Sequence, residues 1–272
     1  GSTDRTPGIL RSWTEKIPLR IVRREGQGNW VAASNAALRE ARGRYACFLH
    51  QDDLWLPGRL EAMEREVARD PAIVVHPASF VGPEGQALGA WRCPLPAGDV
   101  PAELFRERLI VQNFLAIPAP VFRREAALRS GGMDESLWFT ADWDLWLRLA
   151  GEGPIRHLDA PLAAFRVHPA SQTAVRTDLA DRRQQLETVL QRHGGALSAA
   201  ARRAARFSLE MNLALLAAAS GGEVPWRPLI ASLSVLGPGG LRRYLRDSRI
   251  VERVGARLRL RRSASLSAAP AA

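Results

Sequence analysis

Up to about residue 175, short apolar runs alternate with stretches of helical periodicity. Residues 18–23 (PLRIVR), 45–49 (YACFL), 72–76 (AIVVH) and 161–167 (PLAAFRV) predict strands, each short and bounded by turn-forming residues. Residues 80–91 hold PEG between apolar flanks, a hairpin signal. Helices are predicted at 29–41, 57–69, 101–108, 124–129 and 142–150. The first carries Val31, Ser34, Asn35 and Leu38 along one side and is stopped by Gly43; Gly131-Gly132 stops the fourth. Strands alternating with helices predict an α/β layered sheet.

Beyond residue 176 the texture changes. A polar helix is predicted at 177–193 and an Ala/Leu-rich one at 199–219, followed by Gly-Pro punctuation. Residues 241–262 then alternate arginine with Leu, Ile and Val at roughly helical spacing, and 263–272 is expected to be disordered. The expected organisation is an α/β domain over 1–175, a helical basic extension over 176–262 and a loose tail, with no internal repeat.

Composition, 46% hydrophobic and 24% charged, is that of a globular chain. No apolar run reaches the ~18 residues that span a bilayer, and no signal peptide is visible. Cys47 and Cys93 are too few for a disulfide framework, so a reducing, cytoplasmic setting is expected. Only Lys16 among the basic residues is lysine, which points to genome composition and weakens arginine count as a signal. Charge placement says more. Residues 201–272 hold 13 arginines against Glu210, Glu223, Asp247 and Glu252, most of the formal +10 of the whole chain. The first two hundred residues are close to neutral, which excludes bulk electrostatic binding as their task.

The candidate chemistry starts at the end of the apolar run 45–49, which stops abruptly in His50, Gln51, Asp52 and Asp53 before a Pro-opened helix. Carboxylates at the carboxyl end of a strand sit where open α/β sheets bind ligands, and hard oxygen donors suit a divalent ion. They also suit the cap of the next helix, and on these residues alone the two readings are even.

Three further segments fall at strand ends or helix starts: GSTD at 1–4, TADWDLWLRL at 140–149 and FRVHPASQT at 165–173. In this order the segments resemble the motifs of family 2 glycosyltransferases of GT-A fold. GSTD matches the family's DDGSTD, and GNWVAASNAALREARGRY its G-x-x-x-A-x-N segment. Leu49 to Asp53 stands where most members have Leu-Asp-x-Asp-Asp, and GGMDESLWFTADWDLWLRLA is similar to GG-F-D-E…E-D-x-D-L-W-L-R-L. The resemblance covers residues 1 to about 175. It implies a GT-A (Rossmann-like) mixed sheet flanked by helices, with a mostly helical extension. It also implies that the family's first strand, first helix and second strand are missing from this chain.

The implied activity is inverting transfer of a sugar from a nucleotide-diphosphate donor to a hydroxyl of a glycan or lipid-linked acceptor, assisted by Mn²⁺ or Mg²⁺. Asp142 is the expected general base; burial among tryptophans raises a carboxyl pKa, which suits that role. Asp52 and His168 are the expected metal ligands. Asp4, Asn35, His50, Asp53 and Arg166 are expected on the donor, and Trp138 and Trp143 on the acceptor. Asp144, on another side of the helix, is expected to be an internal pair or cap. Two departures stand out: His50 replaces the first metal-motif Asp, and Ala141 the Glu before the base. Imidazole suits Mn²⁺ better than Mg²⁺. A non-catalytic sugar or nucleotide module descended from such an enzyme is the alternative that these departures support. For residues 241–262, contact with the inner face of an anionic plasma membrane competes with a solvated helix; nucleic acid is not expected, for want of interleaved aromatics.

Overall fold

The computed structural model describes residues 2–24 and 28–267, with side chains through residue 262. Its strands are β1 (Tyr45–Ala46), β2 (Leu54–Trp55), β3 (Ile73–Val75), β4 (Ala78–Val81), β5 (Ala87–Trp91), β6 (Gly98–Val100), β7 (Val121–Arg123), β8 (Ile155–His157) and β9 (Ala163–Arg166). Among them run helices α1 (Thr6–Trp13), α2 (Trp30–Glu40), α3 (Arg59–Val67), α4 (Ala102–Leu109), α5 (Arg124–Arg129) and α6 (Ala141–Leu149). The extension adds α7 (Gln172–Val175), α8 (Leu179–His193), α9 (Ala199–Ala219), α10 (Trp226–Ser234), α11 (Gly237–Ser248) and α12 (Ile250–Ser267).

The strands form two mixed sheets, β1-β7-β3-β8-β6 and β2-β9-β4-β5. β3 runs parallel to β8 and β4 parallel to β9, while the other pairs are antiparallel. The expected α/β class, flanked by helices and followed by a helical extension, is what forms. The second sheet matters most for the site, because the polar segment 50–53 leads into β2 and the segment that holds His168 follows β9.

Helix ends follow local chemistry. Asn29 caps α2 by accepting the amides of Val31 and Ala32 at 3.0 and 3.2 Å, which satisfies two of the donors that a helix start leaves free. Its buried face is Val31, Ala32, Asn35 and Leu38. α5 ends in Gly131 and Gly132, both left-handed (φ 84° and 71°), a backbone that only glycine takes up without cost.

Some expected elements differ. Residues 18–23 form no strand; with no neighbouring strand to pair with, Arg20 instead reaches the Glu40 carbonyl and carboxylate. The strand expected at 45–49 has ladder pairing only at Tyr45–Ala46, because β1 is a sheet edge and borders β7 alone. The stretch 241–262 is two helices, broken at Arg249, whose φ of 50° is left-handed. α12 continues to Ser267, into the stretch expected to be disordered from 263; residues 268–272 lie outside the described residues. α12 packs along β5, where Ala256 is wholly buried beside Phe80 and Leu88, and that contact orders the helix.

One apolar cluster joins the sheet (Ile73, Val75, Phe122), α6 (Leu145, Trp146, Leu149) and the extension (Leu186, Leu213, Tyr244). Trp146, Phe122 and Phe48 meet ring to ring at 5.3–6.3 Å at its centre. Truncating a buried tryptophan of this kind costs about 3–5 kcal/mol. The helical extension thus shares its core with the sheet domain. No helix among the described residues is long and apolar enough to cross a membrane.

Candidate active site

The polar segment 50–53 is fixed from two directions. β2 pairs antiparallel with β9, Leu54 opposite Ala164 and Trp55 opposite Ala163. This register brings Asp52 and Asp53 against the end of β9. There Arg166 donates its backbone N–H to Asp53 Oδ1 at 3.0 Å, and His168 Nε2 lies 3.0 Å from Asp52 Oδ2. From the other side the Trp30 indole packs edge-on to the His50 ring, centroids 5.0 Å apart.

His50, Asp52 and Asp53 each offer a ligand atom, all within 4.8 Å of one another. His50 Nε2 and Asp53 Oδ2 are buried and have no hydrogen-bond partner among the described residues. Burial lowers the His50 pKa against the pull of Asp52, so the ring is a neutral donor. Burial raises the Asp53 carboxyl to about 7, opposed chiefly by the Arg166 amide. Two orphaned ligand atoms in one cluster with a second carboxylate, Asp52, fit a divalent cation, which would give both a partner. The cluster takes in His50, expected on the donor; His168, expected as a ligand, stands beside the three, hydrogen-bonded to Asp52.

Asp142 opens α6 and is partly buried. Asn113 Nδ2 donates to its Oδ2 at 3.0 Å. Burial raises its pKa to about 6, offset in part by the Trp143 amide and Asn113. A carboxylate with that pKa is ionised at neutral pH yet basic enough to take a proton. Trp30 ties this region to the His50–Asp52–Asp53 cluster, since its indole N–H donates to Trp138 O at 2.8 Å. Asn113 and Trp30 carried no expected role; the signal for Asn113 was a polar pair, Gln112-Asn113, inside the apolar run IVQNFLAI.

The remaining expected residues fall in different places. Asp144 is buried and bonded to Arg148 Nε and His193 Nε2, both at 2.9 Å, the internal pairing expected of it. Trp143 belongs to the core: it is 4% exposed and donates its indole N–H to Leu109 O at 2.9 Å, so it presents no face to an acceptor. Trp138 is half-buried and borders a cleft of about 300 Å³ with Asn29, Glu135, Ser136 and Arg176. Guanidinium groups of Arg176 and Arg182 lie 4.7 and 4.8 Å from its ring. The Asn35 amide is turned to the 133–135 loop: Nδ2 donates to Met133 O at 2.8 Å and Glu135 Oε1 at 3.1 Å, and Oδ1 accepts from Met133 N at 2.9 Å. The Arg166 guanidinium donates to the carbonyls of Asp52 (2.8 Å), Gly82 (2.7 Å) and Pro83 (3.0 Å). Both therefore brace the walls of the site. Asp4 is exposed, and hydrogen bonds from the Thr6 side chain and then from its amide (3.0 Å) lower its pKa; Gly1 of that motif lies outside the described residues.

Several arginines of the basic extension are paired, although most of those beyond residue 200 are exposed. Arg243 pairs with Glu107, Arg246 with buried Asp247, and Arg249 with Glu252. Arg253 donates to Asn212 Oδ1 and Arg259 to Leu88 O.

Residues 1–124 match the family model described as Glycosyl transferase family 2. An uncharacterized glycosyltransferase of Haemophilus influenzae is 24% identical over 178 residues, 64% of this chain and 58% of that protein. The uncharacterized glycosyltransferase YwdF of Bacillus subtilis is 24% identical over 66% of each chain. A chondroitin synthase of Pasteurella multocida is 27% identical over 58% of this chain and 16% of its own length. The chain thus spans less than two thirds of these relatives. Among solved structures, Staphylococcus aureus TarS 1-349 in complex with UDP superposes with TM-score 0.54 at 19% identity, over 80% of this chain and 60% of that one. Residues 1–124 thus match the model of glycosyl transferase family 2, and the chain shares the GT-A fold of the solved glycosyltransferase TarS.

Proposed function

We propose that the protein transfers a sugar, with inversion, from a nucleotide-diphosphate donor to a hydroxyl of a glycan or lipid-linked acceptor. The observation that carries this reading is the pairing of the His50–Asp52–Asp53 cluster with a separate carboxylate, Asp142, pushed up to about 6. The relatives support the class: TarS was solved with UDP, and a chondroitin synthase is among the matches.

His50, Asp52 and Asp53 would hold the divalent ion, and His168 keeps Asp52 in place. Such an ion, when bound, holds the leaving diphosphate and neutralises its growing charge. A donor set with an imidazole favours Mn²⁺ over Mg²⁺. Asp142 takes the proton of the acceptor hydroxyl as that oxygen attacks the anomeric carbon from the face opposite the diphosphate. The new C–O bond forms as the sugar–phosphate bond breaks, which inverts the configuration. Asn113 holds the Asp142 carboxylate in position, and Arg166 and Asn35 keep the surrounding loops in register. The cleft beside Trp138 is our site for the acceptor.

We place the acceptor at the inner face of a membrane. The extension is strongly basic, and Trp226, Ile230 and Leu233, spaced i, i+4, i+7 on α10, are each at least 47% exposed. This adds the apolar face of α10 to the basic stretch 241–262, where Arg257, Arg261 and Arg262 of α12 are exposed.

A second reading, a binding module without turnover, has His50 and Ala141 in its favour. Calorimetry of UDP and GDP with and without Mn²⁺, followed by donor hydrolysis across a panel of nucleotide sugars, separates the two. Metal-dependent binding with turnover is expected; binding without any turnover would favour the module, and binding indifferent to metal would contradict the assigned cluster.

A further inference from the structure

Residues 110–117 run from α4 towards β7 without regular structure and are almost wholly buried, Gln112 included at 7% exposure. Such a stretch must find internal partners for its polar groups. Gln112 Oε1 accepts from Ser208 Oγ at 3.1 Å and from Asn212 Nδ2 at 2.6 Å, both on α9. Asn212 Oδ1 accepts from Arg253 Nη2 of α12 at 2.9 Å. The neighbour of Gln112 is Asn113, whose Oδ1 accepts from Leu115 N at 3.1 Å and whose Nδ2 donates to Asp142 at 3.0 Å.

The direction of this chain is fixed at its far end. A guanidinium has donors and no acceptor, so Asn212 must turn its oxygen to Arg253 and its amide N–H to Gln112. Gln112 must then present its oxygen to α9. Although burial brings the Arg253 pKa down to about 10, the group stays charged at neutral pH and the polarity does not reverse.

We propose that Gln112, Asn212 and Arg253 are positioning residues that hold segment 110–117 in the register at which Asn113 meets Asp142. Helices α9 and α12, outside all four sequence motifs, thereby set the environment of the proton acceptor. The functional meaning of this relay rests on the reading of Asp142 as base given above; the physical coupling does not.

The test is a carbon-13 titration of the full chain labelled at aspartate carboxyls, with Asp142 assigned by its loss in Asp142→Asn. The wild-type midpoint is expected at about 6. Gln112→Met and Asn212→Leu, close in volume to the residues they replace, should each raise it by roughly one pH unit, the worth of a weakened bond to a charged group. Arg253→Met should raise it too, while Arg253→Lys, which keeps a donor and a cation, should leave it in place. Adding Gln112→Met to Asn113→Ala should move the midpoint no further than Asn113→Ala alone. Unmoved midpoints in the folded Gln112, Asn212 and Arg253→Met variants, or an additive shift in the double variant, would overturn the relay. Because this readout needs no turnover, it stands apart from the base assignment, which is judged by sugar transfer in Asp142→Asn.

Discussion

His168 Nε2 sits 3.0 Å from Asp52 Oδ2, so the residue after one sheet strand fixes a carboxylate that precedes another. An outer residue that orients a ligand typically changes metal affinity 10–100-fold when removed. His168→Ala should therefore weaken Mn²⁺ binding by about tenfold or more, and Asp52→Ala further still. Calorimetric titration of Mn²⁺ into each variant checks this, and equal affinities in wild type and His168→Ala would remove His168 from the site.

The rate of transfer should fall with acid. Asp142 acts as base only when ionised, and its pKa is raised to about 6, so the acid limb of the kcat profile is expected near that pH. Asn113 donates to the ionised form; Asn113→Ala should push the limb to higher pH. A limb near the ordinary 3.8 would contradict the burial argument.

The same shift has the opposite sign for stability. A folded pKa above the unfolded 3.8 means that ionising Asp142 costs stability, a cost that grows from about pH 4 and is complete above about 6. Asp142→Asn should consequently be more stable than wild type at pH 8, by ~1–3 kcal/mol, with the gap closing below pH 4. Denaturant midpoints at the two pH values test it; a variant less stable at pH 8 would count against it.

Asn35 and Gly132 form a single lock on the 133–135 loop. Gly132 has φ 71°, and a Cβ there would lie 2.7 Å from Asn35 Oδ1. Asn35→Ala, which leaves Met133 polar groups unpaired, and Gly132→Ala should each cost ~1–3 kcal/mol. In urea melts both should lose stability, with losses that do not add. Wild-type stability combined with a large rise in donor KM for Asn35→Ala would restore a direct donor contact.

The site was legible in the sequence as far as it is carried by contiguous polar motifs. The HQDD segment and ADWD stand out because carboxylates interrupt apolar runs at element ends. Asp144 was separable from Asp142 by helical geometry alone. What was hidden depends on long-range register. His168 against Asp52 and Trp30 between His50 and Trp138 arise only once β2 pairs with β9 and α2 docks. Trp143 misled because it adjoins Asp142, the proposed base, yet α6 is buried on nearly every side, so this neighbour turns into the core. The two-residue β1 and the unpaired 18–23 show that strand propensity yields a strand only where a partner runs alongside.

The central claim, that Asp142 is the proton acceptor beside a separate metal cluster, is tested most directly by single-turnover transfer in Asp142→Asn with donor affinity measured on the same protein. The account predicts a loss of transfer of about 10²–10⁴-fold, the usual worth of a general base, with Mn²⁺-dependent donor binding unchanged. Transfer within a few-fold of wild type, with the donor still bound, would contradict it.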